Sequence, residues 1–402
     1  MGRGIVVPVS GDTRKLEKDI AKIAGKPVQL QRLDAKKFTQ PLGKIRGELG
    51  EFEKSLEASN ARVIAFGASA GAIYAVGDAL RQTVRSMVEV EKSLAEVNVI
   101  LGTSQKSLAN FGNELFKIAG NTAQSFQTVA TAATELARQG LGVEETLKRT
   151  NNALILTRLS GLGVVDSVNA ITAAINGFSK AALNSTQIVN RLIAVDQAFA
   201  VSGADLAESL KRVGNTAEGA GVSFNQLLAV VTAAQQTTAR GGAVIGNSFK
   251  TIFTRIQRPR TIEALEALGV ATKDASGAAL SAIGVLNNLA KGYDKLAASQ
   301  QAQIAELVGG VFQINILKAT LADLGKEFSI YGNALKSANS AVNEAEIRNA
   351  QLNKTLSATI NATLVNAQRA ATALGQITLE PALKRSLGAA NKILGGFDPN
   401  QS

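Results

Sequence analysis

Hydrophobic positions along this chain recur mostly at steps of three and four residues from about residue 42 onward. That period places apolar side chains on one face of an α-helix. Glycine ends a helix at low cost, and Ser, Asn or Asp caps the next one. Such punctuation recurs about every 20 residues, at 138–147, 159–168, 184–192, 202–210 and 221–230. The pattern predicts a succession of short helices without the signature of a known helical repeat.

The first residues follow a different pattern. Residues 4–12, GIVVPVSGD, read as a short strand and turn, and residues 27–34, PVQLQRLD, alternate like a second strand. The stretch between them has a helical pattern. A small β-α-β-like segment is therefore predicted over residues 1–41.

The C-terminal part carries an apolar stripe at steps of three and four residues. Its members are Leu352, Leu356, Ile360, Leu364, Ala367, Ala371 and Leu374. The stripe predicts one long helix from Asn333 to Leu374, with a coiled coil as an alternative. The chain then divides into an α/β segment, an apolar helical segment, a helical core region and a long C-terminal helix with a tail, at 1–41, 42–84, 85–332 and 333–402.

The amino-acid composition indicates how these helices pack. Hydrophobic residues make up 46% of the 402 residues, but much of this is alanine; aromatic residues make up 4%, and Trp is absent. Small side chains fill shallow helix–helix seams better than a thick core. We therefore expect an all-α, elongated array of thinly packed helices, or an oligomer.

The chain offers little reactive chemistry. It contains no Cys and no His, which excludes disulfides, thiol nucleophiles and the usual zinc sites. Neighbouring acids such as Asp205 and Glu208 read as solvated first-turn residues, and no Gly-rich loop follows a strand. We predict no enzymatic activity and no catalytic, cofactor or metal site.

The net charge of +11 is typical of contact with nucleic acid, a membrane surface or an acidic protein wall, and equally of a soluble basic protein without such a contact. No acidic residue lies between Glu218 and Glu263. Five cations fall in that gap: Arg240, Lys250, Arg255, Arg258 and Arg260. Two interpretations stay open, a solvated basic face and a contact with a polyanion or an acidic wall.

Proline is absent between Pro41 and Pro381 except at Pro259. Because proline cannot donate its amide, the preceding helix should end near Arg258, and Thr261 is predicted to cap a new, short helix. Leu265 and Leu268 give that helix an apolar side, and Gly269 suits a Schellman end. Asp274 to Gly277 reads as an exposed turn.

Residues 63–77, VIAFGASAGAIYAVG, are uncharged but shorter than the ~20 residues that span a bilayer. The apolar positions there are Val63, Ile64, Phe66, Ile73, Tyr74 and Val76. We interpret the segment as a buried or self-associating helix, with a membrane segment as the alternative.

The segment around Pro259, GNSFKTIFTRIQRPRTIEALEALGVATKDASGAALSAIGVLNNLA (246–290), resembles the core of phage tail tape measure proteins. Upstream, EVEKSLAEVNVILGTS (89–104) and ATAATELARQGLGVEETLKRTNNALIL (130–156) are also similar to that family. Downstream, ELVGGVFQINILKATLADL (306–324) and LGQITLEPALKRSLG (374–388) continue the resemblance. Its specificity lies in the order and spacing of these segments over about residues 85–390.

This resemblance implies a rod-like multimer in the lumen of the tail tube, whose length sets the tube length and which leaves ahead of the DNA. Implied partners are copies of the chain, the tail tube protein, tail tip or baseplate proteins and tail assembly chaperones, with phage DNA and the host inner membrane as further contacts. The protein would occupy the virion tail and, during assembly, the host cytoplasm. At ~1.5 Å per residue, a fully helical chain could gauge at most about 600 Å.

A second hypothesis is a membrane-active helical protein that forms or lines a channel for DNA entry. It depends on residues 63–77 and on the uncharged stretch 275–290. A third, a peptidoglycan-degrading enzyme, finds no recognisable acid and base pair in the sequence.

Overall fold

The computed structural model describes the backbone of residues 71–374 and the side chains of 85–370, 372 and 373. The predicted β-α-β-like segment, residues 1–41, lies outside the described residues, as does 42–70. Residues 71–374 form fifteen α-helices and no strand, so the all-α prediction is confirmed for this part. One compact unit spans Val88–Ala373, across the boundary that the sequence placed at 332/333.

The helices, in chain order, are α1 (Gly71–Leu101), α2 (Gln105–Thr122), α3 (Phe126–Ala137), α4 (Val143–Ser160), α5 (Val164–Gly177), α6 (Ser185–Ala198), α7 (Gly203–Gly219), α8 (Phe224–Thr238), α9 (Gly242–Ile256), α10 (Pro259–Ala267), α11 (Ala282–Tyr293), α12 (Ala298–Leu324), α13 (Ile330–Ser340), α14 (Glu344–Leu352) and α15 (Leu356–Leu374).

Polar side chains cap the start of seven of these helices, and three of them, α6, α7 and α8, begin at interruptions that the sequence placed. Asn184 and Ser223 each form a capping box with the glutamine three residues later. Serine hydroxyls also accept from the amide three residues on at Ser104, Ser125, Ser202, Ser281 and Ser329. These bonds satisfy amides that have no partner inside the helix.

The unit is built around one continuous hydrophobic core that connects α1 to α15. The few aromatic residues are concentrated there: Phe126, Phe178, Phe224, Phe249 and Phe253 are fully buried. The rings of Phe178, which directly follows α5, and Phe224 of α8 meet edge to face with their centroids 5.4 Å apart. The expectation of thin seams is therefore wrong for this unit, because buried phenylalanines and large aliphatic side chains belong to one continuous core.

Glycines bring α7 into close contact with its neighbours. Gly242 and Gly246 on α9 face α7. A Cβ added at Gly242 would lie 2.1 Å from the Asp205 carbonyl oxygen, and one added at Gly246 would lie 2.9 Å from Cα of Ser209. The Asp205 carboxylate accepts from the Gly242 amide at 2.7 Å. Asp205 therefore joins two helices, whereas the sequence predicted a solvated acid.

The single long helix predicted from Asn333 to Leu374 is wrong. Left-handed Asn343, with φ 55°, precedes α14, and residues 353–355 separate α14 from α15. The apolar stripe also does not face the core: Leu356, Ile360 and Leu364 are exposed, while Ala358 and Val365 are buried. Polar contacts made by α14 hold this part of the chain with its apolar stripe outward.

Candidate functional site

The proline corner connects α9 to α10. Helix α9 ends at Ile256, and Pro259 is the first residue of α10, where its missing amide donor costs nothing because no intrahelical acceptor is available. Arg258 is the N-cap residue in extended conformation, with φ −69° and ψ 140°. The prediction that Thr261 caps this helix is wrong, because proline moves the start three residues upstream, to an N-cap at Arg258, and Thr261 is buried inside α10.

The end of α10 shows the Schellman hydrogen bonds. The Gly269 amide donates to Glu266 O at 2.9 Å, and the Val270 amide donates to Leu265 O at 3.0 Å. Gly269 has φ +76°, which suits glycine at this position. Leu265 is fully buried and Leu268 is half-buried against the core. The side chains of Leu265 and Leu268 therefore pack the short helix against the core.

The turn that follows is organised by Asp274. Its Oδ1 accepts from the amides of Ser276 and Ala278, at 2.8 and 3.0 Å, and from the Ser276 hydroxyl. These hydrogen bonds, led by that from the Ser276 side chain, lower the pKa of the Asp274 carboxyl. Gly277 has φ +83°, and the whole turn is exposed. For a metal ion, this turn offers the carboxylate of Asp274 and no second carboxylate.

Four of the five predicted cations are exposed: Arg240, Lys250, Arg258 and Arg260. None of the four forms an ion pair within the described residues. We call residues 240–260 the basic segment. It combines uncompensated positive charge with the absence of any acidic residue from 219 to 262.

Arg255 behaves differently from the other four cations. Its Nε donates to Leu307 O at 2.9 Å and its Nη2 donates to Glu306 O at 2.8 Å. Both carbonyls belong to α12, just before Gly310 interrupts that helix with φ 68° and ψ 170°. The guanidinium therefore satisfies carbonyl groups at an internal helix end, as a C-terminal cap does. In this fold Arg255 is a structural residue.

The residues after the break are exposed and apolar. Val311 is 69% exposed and Phe312 is 92% exposed. The sequence prediction missed this feature, although the Gly309-Gly310 pair inside an apolar run was a visible signal. A phenylalanine this exposed is available to a partner but does not identify one.

A polar network that the sequence did not indicate attaches α14. Nη1 of Arg158, at the end of α4, donates to the amide oxygens of Asn349 and Asn353. Both asparagines donate from Nδ2 to Asn121 O, at 3.0 and 2.8 Å. Burial lowers the pKa of the Arg158 guanidinium. Arg158 lies 191 and 195 positions from the two asparagines, so no local pattern could reveal their contact.

The structure provides little specific support for the membrane hypothesis. Helix α12 is long and apolar enough to cross a membrane. Helices α4 and α5 meet the same condition only if they are taken together as one span, and that span would be bent by 116°. Gly310 breaks α12, and the core helix of a soluble protein has the same composition. Most of the uncharged stretch 275–290 forms α11, whose apolar face is buried. Of the segment 63–77, only the backbone from residue 71 onward is described, as part of α1.

No group of three or more Asp or Glu side chains lies together as metal ligands within the described part of the chain. What the described residues offer is a helical body with an exposed basic segment and exposed apolar positions. This body belongs to the phage-related minor tail protein family, whose model matches residues 105–310.

The chain is also similar to the tape measure protein of Pneumococcus phage Dp-1, with 24% identity over 315 residues. The aligned region covers 77% of this chain and 27% of the relative, so the chain spans about a quarter of that protein's length. The predicted resemblance to tape measure proteins is thereby confirmed. No solved structure matches this chain.

Proposed function

We propose that this chain is the gauge, or part of the gauge, that sets tail tube length during assembly and leaves the tube ahead of the DNA. The supporting observation is the family match over residues 105–310 together with the similarity to a named tape measure protein over 77% of the chain. The proposal includes a homo-oligomer in the tube lumen, in contact with the tube protein, tail tip or baseplate proteins and assembly chaperones. It assigns no enzymatic role.

The compact unit places a physical condition on this proposal. A folded domain of the size of Val88–Ala373 has a radius of gyration of about 19 Å, whereas the same residues as one straight helix would extend about 430 Å. Tail length can therefore scale with this region only when the region is extended in the tail. The compact fold then corresponds to the chain before it is loaded into the tube.

Insertions in the exposed turn after Ser276 test the gauge directly, because they lengthen the chain without entering the core. Helical inserts of about 20 and 40 residues should lengthen the tails by about 30 and 60 Å. Tail lengths would be measured by electron microscopy, with Asp274→Ala as the control that alters the same turn without adding length. Tails of unchanged length in phages that still assemble would contradict the gauge.

We further propose that the basic segment contacts a polyanion, either phage DNA or an acidic tube wall. Its four exposed cations, which form no ion pair with any residue that the structure describes, support this, since neutralising phosphates releases counterions and gives salt-dependent binding. Replacing Arg240, Lys250, Arg258 and Arg260 by Gln should reduce the salt dependence of binding to duplex DNA by about 3–4 in log–log slope.

The matched control removes the same charge from other exposed sites by changing Lys106, Lys273, Lys326 and Lys354 to Gln. An equal loss of binding in both variants would show that net charge alone attracts DNA. If neither variant weakens binding, the basic segment has no role in contacting DNA.

A further inference from the structure

Helix α15 is oriented with its large aliphatic side chains away from the unit. Leu356, Ile360 and Leu364 are 73%, 49% and 63% exposed, and they follow one another at steps of four residues along one side of the helix. We call these three residues the outer stripe. The opposite side buries only the smaller Ala358 and Val365, and Thr372 further on.

Polar groups attach this part of the chain to the rest of the unit. Asn361 Nδ2 donates to Ala123 O at 3.4 Å, and Arg369 Nη2 donates to Asn113 Oδ1 at 3.2 Å. Helix α14 shows the same reversal, because it buries Ala345 and Asn349 while Ile347 is 52% exposed. Two consecutive helices thus present aliphatic residues outward, whereas an isolated soluble domain would bury them.

The charge around the outer stripe indicates what can cover it. The chain carries a net charge of +11, so two copies repel wherever their charged surfaces meet. The residues beside the stripe, Ser357, Thr359 and Thr363, are uncharged, and no acidic residue occurs between Glu346 and Glu380. An acidic partner would find no cation among the three stripe residues or these neighbours, whereas an identical stripe brings no charged side chain against them.

We propose that the outer stripe is the surface through which a second copy of this chain packs, α15 against α15. This inference rests on the proposed homo-oligomer and adds the residues through which it forms. Three aliphatic side chains cover much less than the ~800 Å² per partner of a stable interface. The seam therefore supports concentration-dependent association, which increases when copies are brought together during tail assembly.

The complete absence of cysteine gives a test without background reaction. In the full chain, L356C, I360C and L364C would be made singly and oxidised at about 100 µM protein, a concentration that populates associations of micromolar strength. At least one of them should give a disulfide-linked dimer. V244C, at an exposed valine of α9, is the matched control and should stay monomeric. Equal cross-linking of V244C, or none at any of the three positions, would overturn the proposal.

Sedimentation equilibrium of the full chain gives an independent measurement. The triple variant L356S/I360S/L364S should associate about a hundredfold more weakly than the wild type. The control V165S/V244S/F328S removes three other exposed apolar side chains and should leave association unchanged. Far-ultraviolet circular dichroism of each variant would establish that the helices are retained.

A wild-type chain that stays monomeric, or a triple variant that associates as well as the wild type, would overturn the seam. The proposal would also be overturned if the chain stays monomeric and instead binds, through the stripe, to vesicles of phosphatidylcholine and phosphatidylglycerol. These measurements use purified protein and do not depend on tail length. A failed seam therefore leaves the insertion test of the gauge intact, and unchanged tail lengths leave the seam intact.

Discussion

The backbone amide of Gly242 donates a hydrogen bond of 2.7 Å to the Asp205 carboxylate, and a Cβ on Gly242 would lie 2.1 Å from the Asp205 carbonyl oxygen. No other described glycine would place its Cβ so close to a neighbouring atom. The contact shows that α7 and α9 are packed backbone against backbone. Gly246, four residues on, extends the same line of contact.

Gly242→Ala should therefore destabilise the unit strongly. The obstructing atoms are backbone, so the helices must separate, and overpacking of this kind costs about 3 kcal/mol or more. Chemical unfolding followed by circular dichroism would show a lower midpoint. Gly120→Ala is the matched control: Gly120 also lies in a helix, at the end of α2, and has no atom within 4 Å of its Cβ position. An equal loss in both variants would contradict the close packing.

Arg255→Ala should destabilise the break in α12. It leaves the carbonyls of Glu306 and Leu307 without their side-chain donor, at a cost of about 1–3 kcal/mol. Hydrogen exchange should increase for the amides that follow Gly310. Arg258→Ala, at an exposed position without an ion pair in the described residues, should change stability by less than about 0.5 kcal/mol. Similar exchange in the two variants would show that the cap contributes nothing.

Arg158→Ala should loosen the attachment of α14. The substitution removes the donor to two asparagine oxygens and should cost about 1–3 kcal/mol, localised to residues 344–374. Limited proteolysis at the exposed link 342–343 would detect it as faster cleavage. Arg138→Ala is the comparison, because it removes a surface ion pair with Glu135 worth less than about 1 kcal/mol. Cleavage at the wild-type rate would indicate that apolar contacts alone hold α14.

Alkaline pH should destabilise the unit through Tyr331. Burial raises the pKa of this phenol from 10.0 to about 12. Between these values the unfolded chain releases the proton and the folded chain keeps it, so the contribution is complete below pH 10 and is lost as pH rises toward 12. Tyr331→Phe should show a shallower fall in unfolding free energy between pH 10 and 12. Parallel curves for the two proteins would argue against a buried phenol.

The proline corner shows how far local patterns reach. The end of α9, the apolar side of α10 and the Schellman end at Gly269 depend on residues within a few positions of one another, and the sequence predicted all three. The start of α10 was predicted three residues late, because Thr261 is a good cap in isolation but Pro259 is a better first residue. Competing local signals of similar strength cannot be ranked without the surrounding structure.

The roles of the cations depended on distant residues. Arg255 and Arg258 look equivalent in the sequence, yet Arg255 meets carbonyls more than 50 positions away while Arg258 stays exposed. The same holds for Asp205, whose partner Gly242 lies on another helix. For each of these side chains, the function follows from which helix packs beside it.

By itself the sequence determined that residues 71–374 are mainly helical, where helices α4 to α8 begin, and the resemblance to tape measure proteins, because periodicity, caps and family motifs are local properties of the chain. Only the tertiary structure decided which face of each helix is buried. The sequence pattern of the α15 stripe is apolar whether the stripe is buried or exposed. The stripe is exposed because the Arg158 network and the hydrogen bonds of Asn361 and Arg369 hold the opposite, more polar side against the unit. Those bonds join residues separated by 191 to 256 positions, a distance over which sequence pattern carries no information about contact.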